Sequence, residues 1–89
     1  SMEIREPLTD LFEEENIIRI FAELPGEEEK DTKLNFTKDK IEIKGRKFQK
    51  TIDFPTENID KDKVTSKYKN GVLEVTIPKK RHEPKYHKL

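Results

Sequence analysis

Apolar side chains in this chain recur at every second position, in short runs separated by turn-forming residues. That alternation, more than any single motif, decides what the chain can fold into. From Asn16 to Leu24, one face carries Ile18, Ile20, Ala22 and Leu24, while Ile17, Arg19, Phe21 and Glu23 lie on the other. A period of two belongs to a β-strand with one buried face, whereas a helix would repeat at about 3.6. The pattern returns with Leu34 and Phe36 in Thr32–Thr37, with Ile41 and Ile43 in Lys40–Lys44, and with Phe48, Ile52 and Phe54 in Phe48–Phe54. Val64, Ser66 and Tyr68 share a further face, and Leu73, Val75 and Ile77 share the last. Ahead of these, Pro7–Glu13 alternates only in part, through Leu8 and Phe12, and is expected to form an edge strand covering Phe21.

The punctuation agrees. Pro25-Gly26 and Pro55 stop strands, because proline lacks a donor and glycine permits positive φ. Lys38-Asp39 and Gly45-Arg46-Lys47 are short enough for hairpin connections, and Asn70-Gly71 favours a type I′ turn. Glu27–Asp31 reads as a charged connection with one helical turn, and Thr56–Lys63 as a polar loop anchored by Ile59. The expected fold is all-β: an immunoglobulin-like β-sandwich of about seven antiparallel strands. Residues 1–6 read as an N-terminal extension with a tag scar at Ser1-Met2, residues 7–80 as the domain, and residues 81–89 as a flexible basic tail.

Composition sets the limits. Eighty-nine residues make one domain with a thin core, consistent with 30% hydrophobic against 43% charged residues. With no cysteine there is no disulfide framework, thiolate metal site or cysteine nucleophile. No apolar run approaches the roughly 20 residues that span a bilayer. No secretory leader is read either, so the expected setting is the cytoplasm, without a membrane partner. Net charge is zero, yet residues 1–31 carry 11 acidic and 3 basic side chains and residues 32–89 carry 8 acidic and 16 basic. Either the two halves neutralise each other on folding, or they form a dipole that steers a partner.

Three stretches carry a resemblance: Ala22-Glu23-Leu24-Pro25-Gly26; Ile52-Asp53-Phe54-Pro55 leading into Asn58-Ile59-Asp60; and Ser66 through Val75 with Asn70-Gly71-Val72-Leu73 at its centre. In order and spacing these resemble the α-crystallin domain of small heat-shock proteins, archaeal versions most. The opening Pro7-Leu8-Thr9-Asp10 and Phe12-Glu13 also fits. Ser66 stands where the family usually has alanine. The resemblance implies an ATP-independent chaperone of the stress response, which binds unfolded or partly unfolded proteins and prevents their aggregation. It also implies a peptide- or client-binding groove between the strands of Leu34 and Phe36 and of Val64 and Ser66.

Two departures qualify it. The link Lys44-Gly45-Arg46-Lys47 replaces a long loop whose strand swaps into a neighbouring subunit, and neither an I-x-I segment nor a long N-terminal arm is read. The expected state is a monomer or weak dimer and not a large cage. The alternative is a monomeric co-chaperone or adaptor of the CS-domain type, docking on one specific protein partner.

No Ser/His/Asp arrangement, phosphate-cradling loop or paired inward carboxylate is read, so no enzyme activity, catalytic residue or cofactor is expected. His82 and His87 lie in the tail near Glu83, without the converging support a metal needs, and no metal site is expected. Lys79, Lys80, Arg81, Lys85 and Lys88 read as a solvated tail and not as a nucleic-acid contact. The lysines at 38, 40, 44, 47 and 50 read as guards against edge-to-edge strand pairing.

Overall fold

The computed structural model describes residues 3–81 and 86–89. Among them the alternating runs become seven strands: β1 (Thr9–Glu13), β2 (Ile17–Glu23), β3 (Lys33–Phe36), β4 (Lys40–Lys44), β5 (Gln49–Asp53), β6 (Thr65–Lys69) and β7 (Val72–Pro78). Single 3₁₀ turns at Glu29–Asp31 and Lys61–Lys63 interrupt the two polar connections. One sheet has four strands in the order β1-β2-β7-β6, and the other has three in the order β3-β4-β5. Every neighbouring pair is antiparallel.

The two-residue period sets the core. Ile18, Ile20, Ala22 and Leu24 meet Leu73, Val75 and Ile77 on one inner face, and Ile41 and Ile43 come from the other. Phe48 and Ile59 close the ends of this cluster, Ile59 being the loop anchor read from the sequence. Fully burying each large aliphatic side chain is worth about 1.5–3 kcal/mol against chain entropy, so this small set of residues dominates the stability of a thin sandwich.

Two local details are set by strand pairing and not by alternation. In β1 the inward residue is Leu11, opposite Ile20, whereas Leu8 and Phe12 are exposed. Register explains it: pairing with β2 puts Leu11 on the face of Ile20 and Phe12 opposite the outward Arg19. Phe12 does reach Phe21 as anticipated, edge to face, with ring centroids 5.9 Å apart and planes at 77°. In β6, Ser66 has the parity of the inner face, opposite Val75, yet it is exposed because β6 is an outer strand of its sheet.

Asn70 and Gly71 both take positive φ, 52° and 78°, as the type I′ hairpin requires. Arg5, placed by sequence in an N-terminal extension, is bonded into the fold. Its N–H donates to the Lys47 carbonyl at 2.8 Å, and its carbonyl accepts from the Gln49 N–H at 3.0 Å. No helix among the described residues is long and apolar enough to cross a membrane.

Candidate functional site

Leu34 and Phe36 occupy β3, opposite Ile43 and Ile41 of β4, and both are half-buried against the core. Val64 follows the Lys61–Lys63 turn, extended, and is also half-buried against the core. Ser66 and Tyr68 come next on β6 with the same parity, Ser66 exposed and Tyr68 half-buried. The structure thus joins Leu34, Phe36, Val64 and Tyr68 to one apolar cluster and leaves Ser66 at its rim.

Sheet order relates the two strands. Arg5 bridges Phe48 at the start of β5, and four residues later the chain enters β1. Hence β5 and β1 share one side of the sandwich, and β3 and β6, the outer strands at the other ends of their sheets, share the opposite side. Tyr68 is tied back to its own sheet, where its hydroxyl donates to the Leu24 carbonyl just past β2 at 2.6 Å. An outer strand keeps unpaired backbone groups, and apolar side chains beside it can receive an extended segment.

A group the sequence did not reveal fixes the far side. Gly26, at φ +83°, turns the chain after Pro25 so that Glu27 lies buried against the β4–β5 link. Its carboxylate accepts the Arg46 N–H on Oε1 and the Lys47 N–H on Oε2, both at 2.8 Å. A Cβ at Gly45 would come within 2.8 Å of the Glu27 Cδ, so glycine there makes room for the carboxylate. The link carries the Lys47 carbonyl that holds Arg5, whose guanidinium sits 5.7 Å from the centre of the Phe48 ring. A second buried polar group, Thr56, donates from its hydroxyl towards the carbonyls of Thr37 and Lys38 and pins the loop after β5.

Two further surfaces flank the sandwich. A cavity of about 720 Å³ opens where the strand ends meet Lys79–Arg81, with Ile18, Phe54 and Ile59 on its floor and both signs of charge at its rim. On the outer surface, Leu8 and Phe12 are exposed beside Phe21 at the β1 edge. At the β4–β5 edge, a hydrogen bond and ion pair of 2.8 Å joins Lys40 to Asp53. That contact raises the Lys40 pKa and lowers that of Asp53. Among the described residues, no group of three His, Cys, Asp or Glu converges as a metal site would require. Residues 82–85, which include His82 and part of the tail reading, lie outside the described residues.

The model of the Hsp20/alpha crystallin family matches residues 14–88. A probable 15 kDa heat shock protein of Leptospira interrogans is 33% identical over 92 residues, taking in 84% of this chain and 71% of that protein. Among solved structures, heat shock protein 16.0 of Schizosaccharomyces pombe superposes with a TM-score of 0.78 at 24% identity, covering 98% of this chain and 75% of the other. A small heat-shock protein of Xylella fastidiosa, described as having a distinct high order structure, superposes with a TM-score of 0.75 at 26% identity. That match covers 93% of this chain and 94% of the other.

Proposed function

The chain belongs to the Hsp20/alpha crystallin family, and from that premise we propose that it is an ATP-independent chaperone whose client contact is the β3/β6 side of the sandwich. Unfolding proteins are held there and kept from aggregating. The observation that carries the reading is the coincidence of two outer strands with one apolar cluster: Leu34, Phe36 and Val64 lie half-buried beside strands whose outer backbone groups await a partner. An extended apolar segment would gain main-chain hydrogen bonds from the strands and burial from these side chains, with Ser66 leaving room at the rim. The role is binding and not catalysis. The alternative of an adaptor docked on one protein is not favoured.

The finer features belong to the same proposal. The link at residues 45–48 is a self-contained hairpin and not a swapped loop. Its support is the Glu27 clamp on the Arg46 and Lys47 N–H groups. A chain without a swapped loop is proposed to be a monomer or weak dimer. The leaning towards archaeal members rests on the Ala22–Gly26 and Ser66–Val75 stretches. The setting proposed is the cytoplasm, which cell fractionation would test.

The deciding experiment is suppression of aggregation of a heat-labile client. Protection at several-fold molar excess is expected. Its absence would refute the chaperone reading. A titration with an extended apolar peptide, followed by amide shifts, should perturb residues around 34–36 and 64–68. Perturbations confined elsewhere would refute the groove.

A further inference from the structure

We propose that a second copy of this chain extends the four-stranded sheet head to tail, pairing its β1 with β6 of the first. The inference goes beyond client binding and rests on the weak self-association proposed above. It follows from three features of the two outer strands: direction, pleat and charge.

Direction comes first. All pairs in the order β1-β2-β7-β6 are antiparallel, so β1 and β6 run in opposite senses at the two edges. Simple translation of one copy across the sheet therefore lays its β1 antiparallel against β6, without rotation about the strand axis. Such a contact is heterologous, because the two surfaces differ, and it leaves a β1 and a β6 edge open at the ends, so the weak dimer is the first step of an association that grows with concentration.

The pleat then limits the register to pairings of odd β1 positions with even β6 positions. The Glu23 N–H donates to the Leu8 carbonyl and the Glu14 N–H to the Ile17 carbonyl, so the even positions of β1 bond to β2. In an antiparallel strand the intervening residues turn their groups away, which leaves the N–H and C=O of Thr9, Leu11 and Glu13 on the free edge. On β6, the two-residue turn Asn70-Gly71 makes Lys69 and Val72 a bonded pair, so Ser66 and Tyr68 face outward. Setting Ser66 against Leu11 of the second copy, and Tyr68 against its Thr9, satisfies both edges. It also keeps inward side chains inward, with Leu11 continuing the buried face beside the exposed Ser66.

Charge selects this pairing over its rivals. In that register Lys67 stands opposite Asp10 of the second copy and Thr65 opposite its Phe12, while Lys63, in the turn ahead of β6, lies at the same end of the contact as Glu14, just past β1. Lys67 and Lys63 hold Glu74 and Asp60 at 3.3 and 3.8 Å, but with 71% and 74% of their side chains exposed both remain available. Two-fold pairing fares worse. Antiparallel β6 on β6, centred on Tyr68, sets Lys69 directly opposite Lys67, and centred on Ser66 it brings Lys69 to the end that carries Lys63. A β1 on β1 pair brings together two segments that each carry Asp10, Glu13 and Glu14. Like charges directly opposite destabilise a ladder, and opposite charges support it.

The test uses the whole chain in sedimentation analysis over a range of concentrations. The parent should self-associate weakly at about 25 mM salt and several-fold less at about 0.5 M, where screening is short-ranged. Asp10→Lys/Glu14→Lys and Lys63→Glu/Lys67→Glu change exposed side chains, and circular dichroism checks that each variant folds. Each alone should lose about tenfold in association constant, the size expected when two exposed ion pairs at the contact become repulsive. An equimolar mixture of the two should recover association, because every β1–β6 contact between unlike copies is again complementary.

For the strand contact itself, a mixture of Phe12→Cys and Thr65→Cys proteins should cross-link through a disulfide, and neither should do so alone. Four results would each overturn the proposal: a parent with no concentration dependence, variants that associate like the parent, a mixture without recovery, or either cysteine variant cross-linking alone. Aggregation suppression on the same samples reads client binding separately, so failure of one reading leaves the other standing.

Discussion

Replacing Gly45 with alanine tests whether the Glu27 carboxylate fixes the β4–β5 link. The new Cβ would lie 2.8 Å from Cδ, 2.9 Å from Oε2 and 3.2 Å from Cγ of Glu27. Gly45 is not at positive φ, so alanine introduces no backbone strain and the whole cost is the collision. Glu27 can escape only by loosening the bonds from Arg46 N–H and Lys47 N–H, each 2.8 Å long. A hydrogen bond to a charged group contributes about 1.5–3 kcal/mol, so losing one and stretching the other costs on the order of 2–3 kcal/mol. The loss of unfolded-chain freedom returns about 0.5 kcal/mol, leaving a net loss of about 2 kcal/mol. In a domain of this size that is a fall in Tm of roughly 10 °C. Glu27→Ala should cost a similar amount by removing the acceptor. In the Glu27→Ala background, however, Gly45→Ala has nothing to strike and should be neutral within about 0.5 kcal/mol. Urea denaturation of the four proteins yields the coupling, expected near 2 kcal/mol. Additive losses would refute the clamp, and so would a Gly45→Ala protein as stable as the parent.

Three smaller predictions follow from single interactions. Tyr68→Phe removes the donor to the Leu24 carbonyl and should lower unfolding free energy by about 1 kcal/mol in the same denaturation assay, because the bond is partly buried. Gly71→Ala places a side chain at φ +78°, with its Cβ 3.4 Å from Pro25 Cα, and should cost about 1–2 kcal/mol. The Lys40–Asp53 ion pair depresses the Asp53 pKa below its ordinary value of 3.8. Its contribution is therefore present above that value and disappears as pH falls through the lowered one. Carboxyl chemical shifts through an acid titration should show Asp53 titrating low in the parent and returning towards the ordinary value in Lys40→Ala. The paired Lys40 is raised, so the alkaline end should mirror this, with the ion pair dissolving as pH climbs through the raised value.

The strands were legible wherever one parity was apolar throughout. From Asn16 to Leu24 the inner face is uninterrupted, and the structure buries Ile18, Ile20, Ala22 and Leu24 completely. Leu8-Thr9-Asp10-Leu11-Phe12 offers apolar residues on both parities, so only pairing with β2 decides between them. Ser66 shows a different limit: its parity was right, but exposure depends on which strand ends up outermost, and alternation does not encode sheet order. Glu27 shows the most severe. Nothing local marks a carboxylate that bonds to residues 46 and 47, and the one available hint was a glycine at 45 beyond what a turn needs. The groove residues are legible only through the family resemblance, and that β3 and β6 are both outermost emerges only with the sheet order.

Edge strands are the hazard of an open sandwich, and this chain treats its two sides unequally. At the start of β5 its own backbone does the covering: Glu27 holds the link at residues 46 and 47, the link holds Arg5 through the Lys47 carbonyl, and Arg5 in turn accepts from Gln49. On the β6 side the protection is charge, in Lys63, Lys67 and Lys69, and charge discriminates where a covering strand would exclude. It repels another β6 but admits an acidic or an apolar strand. A client segment in the β3/β6 groove and β1 of a second copy would therefore compete for the same outward groups of Ser66 and Tyr68. Self-association of this kind would keep the adhesive edge occupied until a client arrives, and it would be weak because displacement by an unfolding chain demands it.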